Sequence, residues 1–293
     1  MFPREPGVAA LPMYALPGVQ RWQEAWWAGL ARHFKAAGVA GVPERLSRDG
    51  GSVAAWSDPR LLFAQACGYP LTHAFAHRLQ VVATPCYDAP GCNGAWYRSF
   101  LVVRADSRAE ALQDLFGGVA AINDTASQSG CNALRAALAK AVEPAGPPPF
   151  ARTVETGSHL ASLQSVASGI ADICAVDCVT HALLHRHAPQ GLAGTRVLGE
   201  TPPAPGLPYV TSRDMSREQC ERLAEGLFAA LANPSLRPVR EALTITGAER
   251  LTQADYAVIL AMEAEALTAV PAFAQPRQAS GQGDLSAARS MRE

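Results

Sequence analysis

The sequence lacks the features that would place it in a membrane or on nucleic acid. No stretch approaches the roughly 20 apolar residues of a spanning helix. The 25 lysines and arginines are scattered among 26 acidic residues for a net charge of −1, so the basic footprint of a nucleic-acid binder is absent. Lysine is scarce, with Lys35 and Lys140 alone. The seven cysteines, Cys67, Cys86, Cys92, Cys131, Cys174, Cys178 and Cys220, are odd in number and irregular in spacing, which predicts reduced thiols rather than a disulfide framework. Cys-x2-Cys pairs are missing, so Cys174, Cys178 and His181, with Asp177 between them, do not make a zinc motif, and no metal is expected. No Gly-x-Ser-x-Gly elbow marks a hydrolase nucleophile. There is no internal repeat. Met1 to Gly7 carries Arg4 and Glu5, and the apolar run Val8 to Leu16 is broken by Pro12, so no secretory signal is read. The chain as written is expected in the cytoplasm, or in the periplasm if a leader was trimmed from it.

What is present is enough apolar material for a sizeable core: 293 residues, 48% hydrophobic and 17% charged, long enough for two domains. Val8 to Tyr14 reads as a buried strand, with Tyr14 at its carboxyl end. Pro17 to about Ala37 reads as a helix, with Trp22, Ala25, Trp26, Leu30 and Phe34 on one face. After a loop at Ser47 to Ser52, the run Leu61 to Pro70 reads as a strand interrupted by Gln65 and by Gly68, which suggests close approach by another element. Strands follow at Leu79 to Ala83 and Trp96 to Arg104.

From Ser107 the pattern becomes α/β: a helix, a strand at Val119 to Asn123, a helix from about Ser129, a strand at Arg152 to Glu155, a helix from about Ser158 and a strand at Ala171 to Val176. Val197 to Glu200 adds a strand, and the Pro-rich stretch Thr201 to Pro208 is stiff and extended, as an interdomain crossing should be. Beyond it come a strand at Tyr209 to Ser212 and helices from Ser216 and Thr252. Residues 103–205 thus form a lobe inserted into a first lobe made of 1–102 plus 206–275, with a disordered tail at 276–293.

Two turns stand out in the inserted lobe. Ile122 to Gly130 and Thr156 to His159 each run from a strand through hydroxyl- and Gly-rich residues into a helix, where unpaired N–H groups and the helix dipole favour an anion. Ser127, Ser129, Thr156 and Ser158 offer hydroxyls, and His159 adds a ring N–H. The same residues are also good ordinary helix caps, and His159 could be a surface histidine. Asp177, at the end of an apolar strand, sits where open α/β sheets bind ligands; it could accept from a ligand amine or hydroxyl, or cap the next helix.

Gln65-x-Cys67-Gly68-Tyr69-Pro70, Tyr97-Arg98-Ser99, Asn123-x3-Ser127-x-Ser129-Gly130, Thr156-Gly157-Ser158-His159-x2-Ser162 and Gly169-x2-Asp172-x4-Asp177 resemble, in order and over most of residues 8–212, the phosphate/phosphite/phosphonate-binding solute receptors of ABC transporters. The resemblance implies an α/β, two-lobed type II periplasmic-binding-protein fold with a ligand cleft between the lobes. It implies that Ser127, Gln128 and Ser129 hold phosphoryl oxygens, that His159 and Ser158 join them, and that the hydroxyls of Tyr14 and Tyr97 close on the ligand. Gln65 and Tyr69 belong to the same motif set, and Asp177 lies near the substituent on phosphorus. The function implied is delivery of a small oxyanion to an ABC permease by hinge closure, with no cofactor and no chemistry on the ligand. Two alternatives stand beside it: a cytoplasmic ligand sensor, and an enzyme on the same fold similar to the pyrimidine-synthesising proteins of thiamine biosynthesis, which use lysine-bound pyridoxal phosphate and iron.

Overall fold

Strand β1 (Val8–Ala10) pairs in parallel with β2 (Leu61–Gln65), and between them the chain forms α1 (Gln20–Ala36) and α2 (Gly51–Ser57). The computed structural model describes residues 6–143, 147–271 and 273, so the tail expected at 276–293 lies outside the described residues. Helix α1 buries Trp26, Leu30 and Phe34 of the expected stripe together with Trp27, while Trp22 and Ala25 are only partly buried. It begins three residues after Pro17, behind a turn, and Tyr14 lies in an earlier turn, beyond the end of β1 rather than on it. Helix α2 starts inside the segment expected as a loop.

The strand expected over Leu61 to Pro70 stops at Gln65, and α3 (Gly68–Thr72) follows. Pro70 has no N–H to give a ladder, and the backbone at Gly68 is approached so closely that a Cβ there would stand 2.4 Å from Ile259 Cδ1. Next come β3 (Leu79–Tyr87), β4 (Trp96–Tyr97) and β5 (Ser99–Arg104). The helix expected after Ser107 is a single 3-10 turn at Leu112–Leu115.

The second lobe continues with β6 (Val119–Ile122), α4 (Ala133–Ala139), β7 (Arg152–Glu155), α5 (His159–Ala167), β8 (Ile173–Asp177), α6 (Cys178–His187) and β9 (Thr195–Glu200). The chain then returns through β10 (Ala204–Pro205) to β11 (Tyr209–Ser212), α7 (Arg217–Ala232), α8 (Arg237–Ala242), β12 (Ile245–Glu249) and α9 (Ala257–Ala269). β12 has only Ile245 and Ala248 as apolar side chains and owes its strand form to antiparallel pairing with β3.

Two five-stranded sheets result, in the orders β1-β2-β11-β3-β12 and β7-β6-β8-β5-β9. The antiparallel pair β4 and β10 lies at the two crossings between them. The crossings are tied to each other: Ser99 N–H donates to Thr201 Oγ1 at 2.9 Å, Thr201 N–H donates to Ser99 O at 2.9 Å, and the Arg98 guanidinium donates to Thr201 O at 2.9 Å. The fold is therefore a two-lobed α/β structure hinged at paired crossings.

Helix α9 makes a third link. It follows β12 of the first sheet, and the chain just beyond it inserts Val270 and Phe273 into the apolar cluster of the second lobe with Leu138, Ile173 and Phe150. On α4, the fully buried Arg135 donates to Glu263 Oε1 of α9 at 3.3 Å and to Phe273 O at 3.3 Å. Glu263 also accepts from Tyr69 at 2.5 Å and pairs with His73 Nε2 at 2.7 Å. Burial pushes the Glu263 carboxyl up, but these hydrogen bonds and Arg135 outweigh it and hold the group below its ordinary range.

Two substitutions test this packing by urea unfolding. Phe63 is fully buried among Phe34, Tyr209 and Trp27 at centroid distances of 5.0, 4.9 and 6.1 Å, and Phe63→Ala should cost about 3–5 kcal/mol. Glu263→Ala, which removes the carboxylate shared by Arg135, Tyr69 and His73, should cost about 3–5 kcal/mol; a loss below 1 kcal/mol in either would remove the corresponding packing role.

Candidate functional site

Parallel pairing of β6 with β7 sets Ile122 opposite Glu155, and the hydrogen bonding continues past the strand ends. Thr156 N–H donates to Ile122 O and Gly157 N–H to Asn123 O, both at 2.9 Å. The two hydroxyl-rich turns are thereby fixed side by side.

In the first turn, Ser127 Oγ caps by accepting from Gly130 N–H at 3.1 Å, and Gln128–Asn132 wind as one π turn before α4 begins. The regular helix expected from Ser129 thus starts only at Ala133. The wide turn crowds Gly130 against its neighbours: a Cβ there would fall 1.8 Å from Asn123 Oδ1 and 3.2 Å from His159 Cε1. In the second turn Ser158 Oγ caps α5 by accepting from Ala161 N–H at 3.1 Å. That leaves His159 as the first residue of α5, with Nε2 at 2.8 Å from Ser129 Oγ.

His159 Nδ1 is buried, on the side of the ring that meets the Ala175 backbone. Burial of the ring pushes its pKa down to about 4, against a smaller upward effect from the Ala175 backbone. The imidazole is neutral at physiological pH, and one of its two nitrogens carries the donor hydrogen.

Asp177, buried at the end of β8, accepts from Val179 and Thr180 N–H through Oδ1 at 2.7 and 3.0 Å, while Oδ2 accepts from the Tyr14 hydroxyl of the first lobe at 3.2 Å. Of the two sequence readings of Asp177, the helix cap is the one seen, while its other oxygen is turned to Tyr14 of the opposite lobe. Burial pushes its pKa up to about 6, against the lowering effect of those three hydrogen bonds. Tyr97, on the crossing strand β4, has a buried hydroxyl whose pKa is raised by burial and then by the charge of Asp177, against a smaller lowering effect from a hydrogen bond with the Ser129 side chain.

Gln65 acts from behind. Its amide donates to Tyr87 Oη at 2.9 Å and to Leu207 O at 3.1 Å, and the Tyr87 ring meets Tyr14 edge-on at 5.6 Å. Tyr87 is absent from the sequence expectation because the strand was read only as far as Ala83; the aromatic at the end of a nine-residue strand was the available signal.

Two expected ligand residues turn elsewhere. The Gln128 side chain accepts from Asn132 Nδ2 at 2.8 Å and reaches Met262 Sδ at 3.8 Å, and its backbone N–H already meets Cys67 Sγ at 3.4 Å. Tyr69 stacks on His73 at 3.8 Å and donates to Glu263, which places it in the α3–α9–α4 network. The polar groups brought together are Ser129, His159 and Asp177 of the second lobe, Tyr14 of the first lobe and Tyr97 of the crossing strand, with no lysine or arginine among them. Among the described residues, no group of three or more His, Cys, Asp or Glu side chains could hold a metal, and no helix is long and apolar enough to cross a membrane.

The two shifted groups act on stability with opposite signs. As pH falls from about 6.5 to 4, unfolded chains protonate His159 and folded ones do not, so its contribution destabilises. As pH falls from about 6 to 3.8, folded chains take up a proton at Asp177 before unfolded ones do, which stabilises. Each reaches on the order of 3 kcal/mol at its limit, less for His159, which keeps part of its surface in solvent. Asp177→Asn, which preserves the cap, should therefore lose stability relative to the parent between pH 6 and 4, and His159→Gln should gain it. Urea midpoints at pH 7.5, 6 and 4.5 check both slopes, and slopes of reversed sign would refute the assignment.

With this geometry in place, the chain can be set beside known proteins. Its fold is similar to that of the binding protein component of an ABC phosphonate transporter from Pseudomonas aeruginosa, at 20% identity and a TM-score of 0.70, covering 90% of this chain and 88% of that one. It is similar to PhnD1 from Prochlorococcus marinus in complex with methylphosphonate, at 15% identity and 0.68, covering 90% and 98%, and to XAC2383 from Xanthomonas citri bound to chloride, at 15% and 0.65, covering 88% and 96%. No curated protein sequence matches. The family of periplasmic substrate-binding proteins of phosphonate ABC transporters matches residues 61–256, two thirds of the chain, and takes in both crossings, both hydroxyl-rich turns and Asp177. The protein belongs to that family of phosphonate ABC transporter periplasmic substrate-binding proteins.

Proposed function

We propose that the protein binds a small oxyanion of the phosphonate or phosphate type between its lobes and passes it to an ABC permease when the hinge opens. The observation that carries this reading is the 2.8 Å contact between Ser129 Oγ and His159 Nε2 at the mouths of two turns pinned to each other. Both groups can turn donors toward an incoming oxygen, and the hydroxyls of Tyr14 and Tyr97 approach from the other side. Neutral donors suit a ligand that must later leave, because hydrogen bonds to a charged oxygen contribute about 1.5–3 kcal/mol each, whereas a buried cation pair is harder to separate. Asp177 would accept from a ligand hydroxyl or amine once Tyr14 yields.

A serine 2.8 Å from a histidine also resembles a nucleophile and its base. The base of such a pair is oriented by a third group, most often a carboxylate, whereas the group beside the His159 ring other than Ser129 is the Ala175 backbone, which supports binding without chemistry. The periplasm, as the compartment named for the family, is the proposed site of action.

Thermal shift and calorimetry with methylphosphonate, phosphite, phosphate, 2-aminoethylphosphonate and sulfate test the reading. A true ligand at about 100 times its Kd should stabilise the fold by roughly 2.7 kcal/mol. Ser129→Ala and His159→Ala should each weaken binding about 10- to 100-fold. A flat response to all five anions would end the oxyanion proposal.

A further inference from the structure

The loop at 88–95 joins β3 to β4 and is fastened to the first lobe at both ends: Asp88 N–H donates to Thr244 O at 2.7 Å, and Ala95 N–H to Glu249 Oε1 at 3.1 Å. From it Cys92 reaches across the lobes to Cys178, the first residue of α6, with the two sulfurs 3.5 Å apart. The approach is built into the loop. Gly91 has φ 91°, and a Cβ there would stand 3.0 Å from Cys178 Cβ and 3.2 Å from its Sγ, so a larger residue would push the loop away. On the other side, Cys178 is held by its N–H, which donates to Arg98 O at 3.1 Å. Cys178 is fully buried and Cys92 is partly exposed, so Cys92 is the thiol that meets a reagent first.

We propose that Cys92 and Cys178 form a disulfide under oxidising conditions, tying the first lobe to the start of α6 beside Asp177 and restraining the opening of the cleft. The sulfurs need to close from 3.5 Å to roughly 2.05 Å. An oxidising compartment such as the periplasm favours the bond. With a small-molecule disulfide as oxidant, the Cys92 thiolate attacks one of its sulfurs and expels one thiolate, leaving a mixed disulfide on Cys92. The Cys178 thiolate then attacks Cys92 Sγ and expels the second thiolate. Two protein thiols are oxidised, the oxidant's disulfide is reduced to two thiols, and the two cysteine protons end on the departing thiolates. Its contact with Cys92, burial and the nearby Asp177 push the Cys178 thiol up, so the second step should quicken as pH rises. The link is independent of which anion the cleft takes.

The test uses the full chain without ligand, incubated with oxidised glutathione, unfolded in an alkylating reagent and mapped by mass spectrometry. The expected product joins the peptides of Cys92 and Cys178, lighter by two hydrogens and restored by dithiothreitol; Cys92→Ser should not form it, and Gly91→Ala should form it more slowly. Backbone amides of 96–104 should exchange hydrogen at least tenfold more slowly in the oxidised chain than in the reduced one, with no such difference in Cys92→Ser. Full alkylation of both cysteines after oxidation, or pairing of Cys92 with Cys86, would overturn the disulfide. A disulfide that leaves hinge exchange unchanged would overturn the restraint on opening.

Discussion

Two backbone hydrogen bonds beyond the ends of β6 and β7, from Thr156 N–H to Ile122 O and from Gly157 N–H to Asn123 O, underlie the candidate site. Each turn alone is an ordinary capped helix start, with Ser127 and Ser158 using their own hydroxyls on backbone N–H groups. Once the turns are bound to each other, Ser129 and His159 come within hydrogen-bond distance, and the groups left over face the opposite lobe. The pair is held by strand register and caps rather than by flexible side chains, which is the preorganisation that binding requires.

The opposite lobe reaches the site through the hinge. Ser99 lies opposite Asp177 in the sheet and Tyr97 two residues earlier on the crossing strand, so one continuous segment carries the register of the second lobe and a hydroxyl for the cleft. Asp177 divides its oxygens between holding α6 and accepting from Tyr14. A carboxylate already stabilised by two backbone N–H groups can sit deep without a cation, though burial still moves its pKa up to about 6. The network of Arg135, Glu263, Tyr69 and His73 at the α4–α9–α3 junction holds the lobes at a second place, so a separation of α4 from α3 must break contacts on one side of Glu263 or the other.

Much of this was legible in local sequence because it rests on local chemistry. The α1 stripe, the Pro-rich return crossing, the hydroxyl turns and the Asp177 position are patterns of a few neighbouring residues, and the structure has them where their spacing put them. Reading failed where a neighbour distant in sequence decided the outcome. β2 gives way after Gln65 to α3, whose first residue, Gly68, leaves the space that Ile259 needs; β12 exists because β3 offers it an edge. Tyr69 looked like a cleft residue by its motif, yet Glu263, 194 residues away, takes its hydroxyl.

By itself the sequence determined the longer periodic elements and the chemistry of the turns, since helical period, cap residues and Pro or Gly breaks act over a few residues. Tertiary structure alone decided which candidates meet. Ser129 finds His159 through strand pairing, Tyr14 finds Asp177 across 163 residues, and Gln128 is drawn inward by Asn132 and Met262. The reason is physical: a side chain's partners are fixed by the packing of elements distant in sequence, and no periodicity within one element records them.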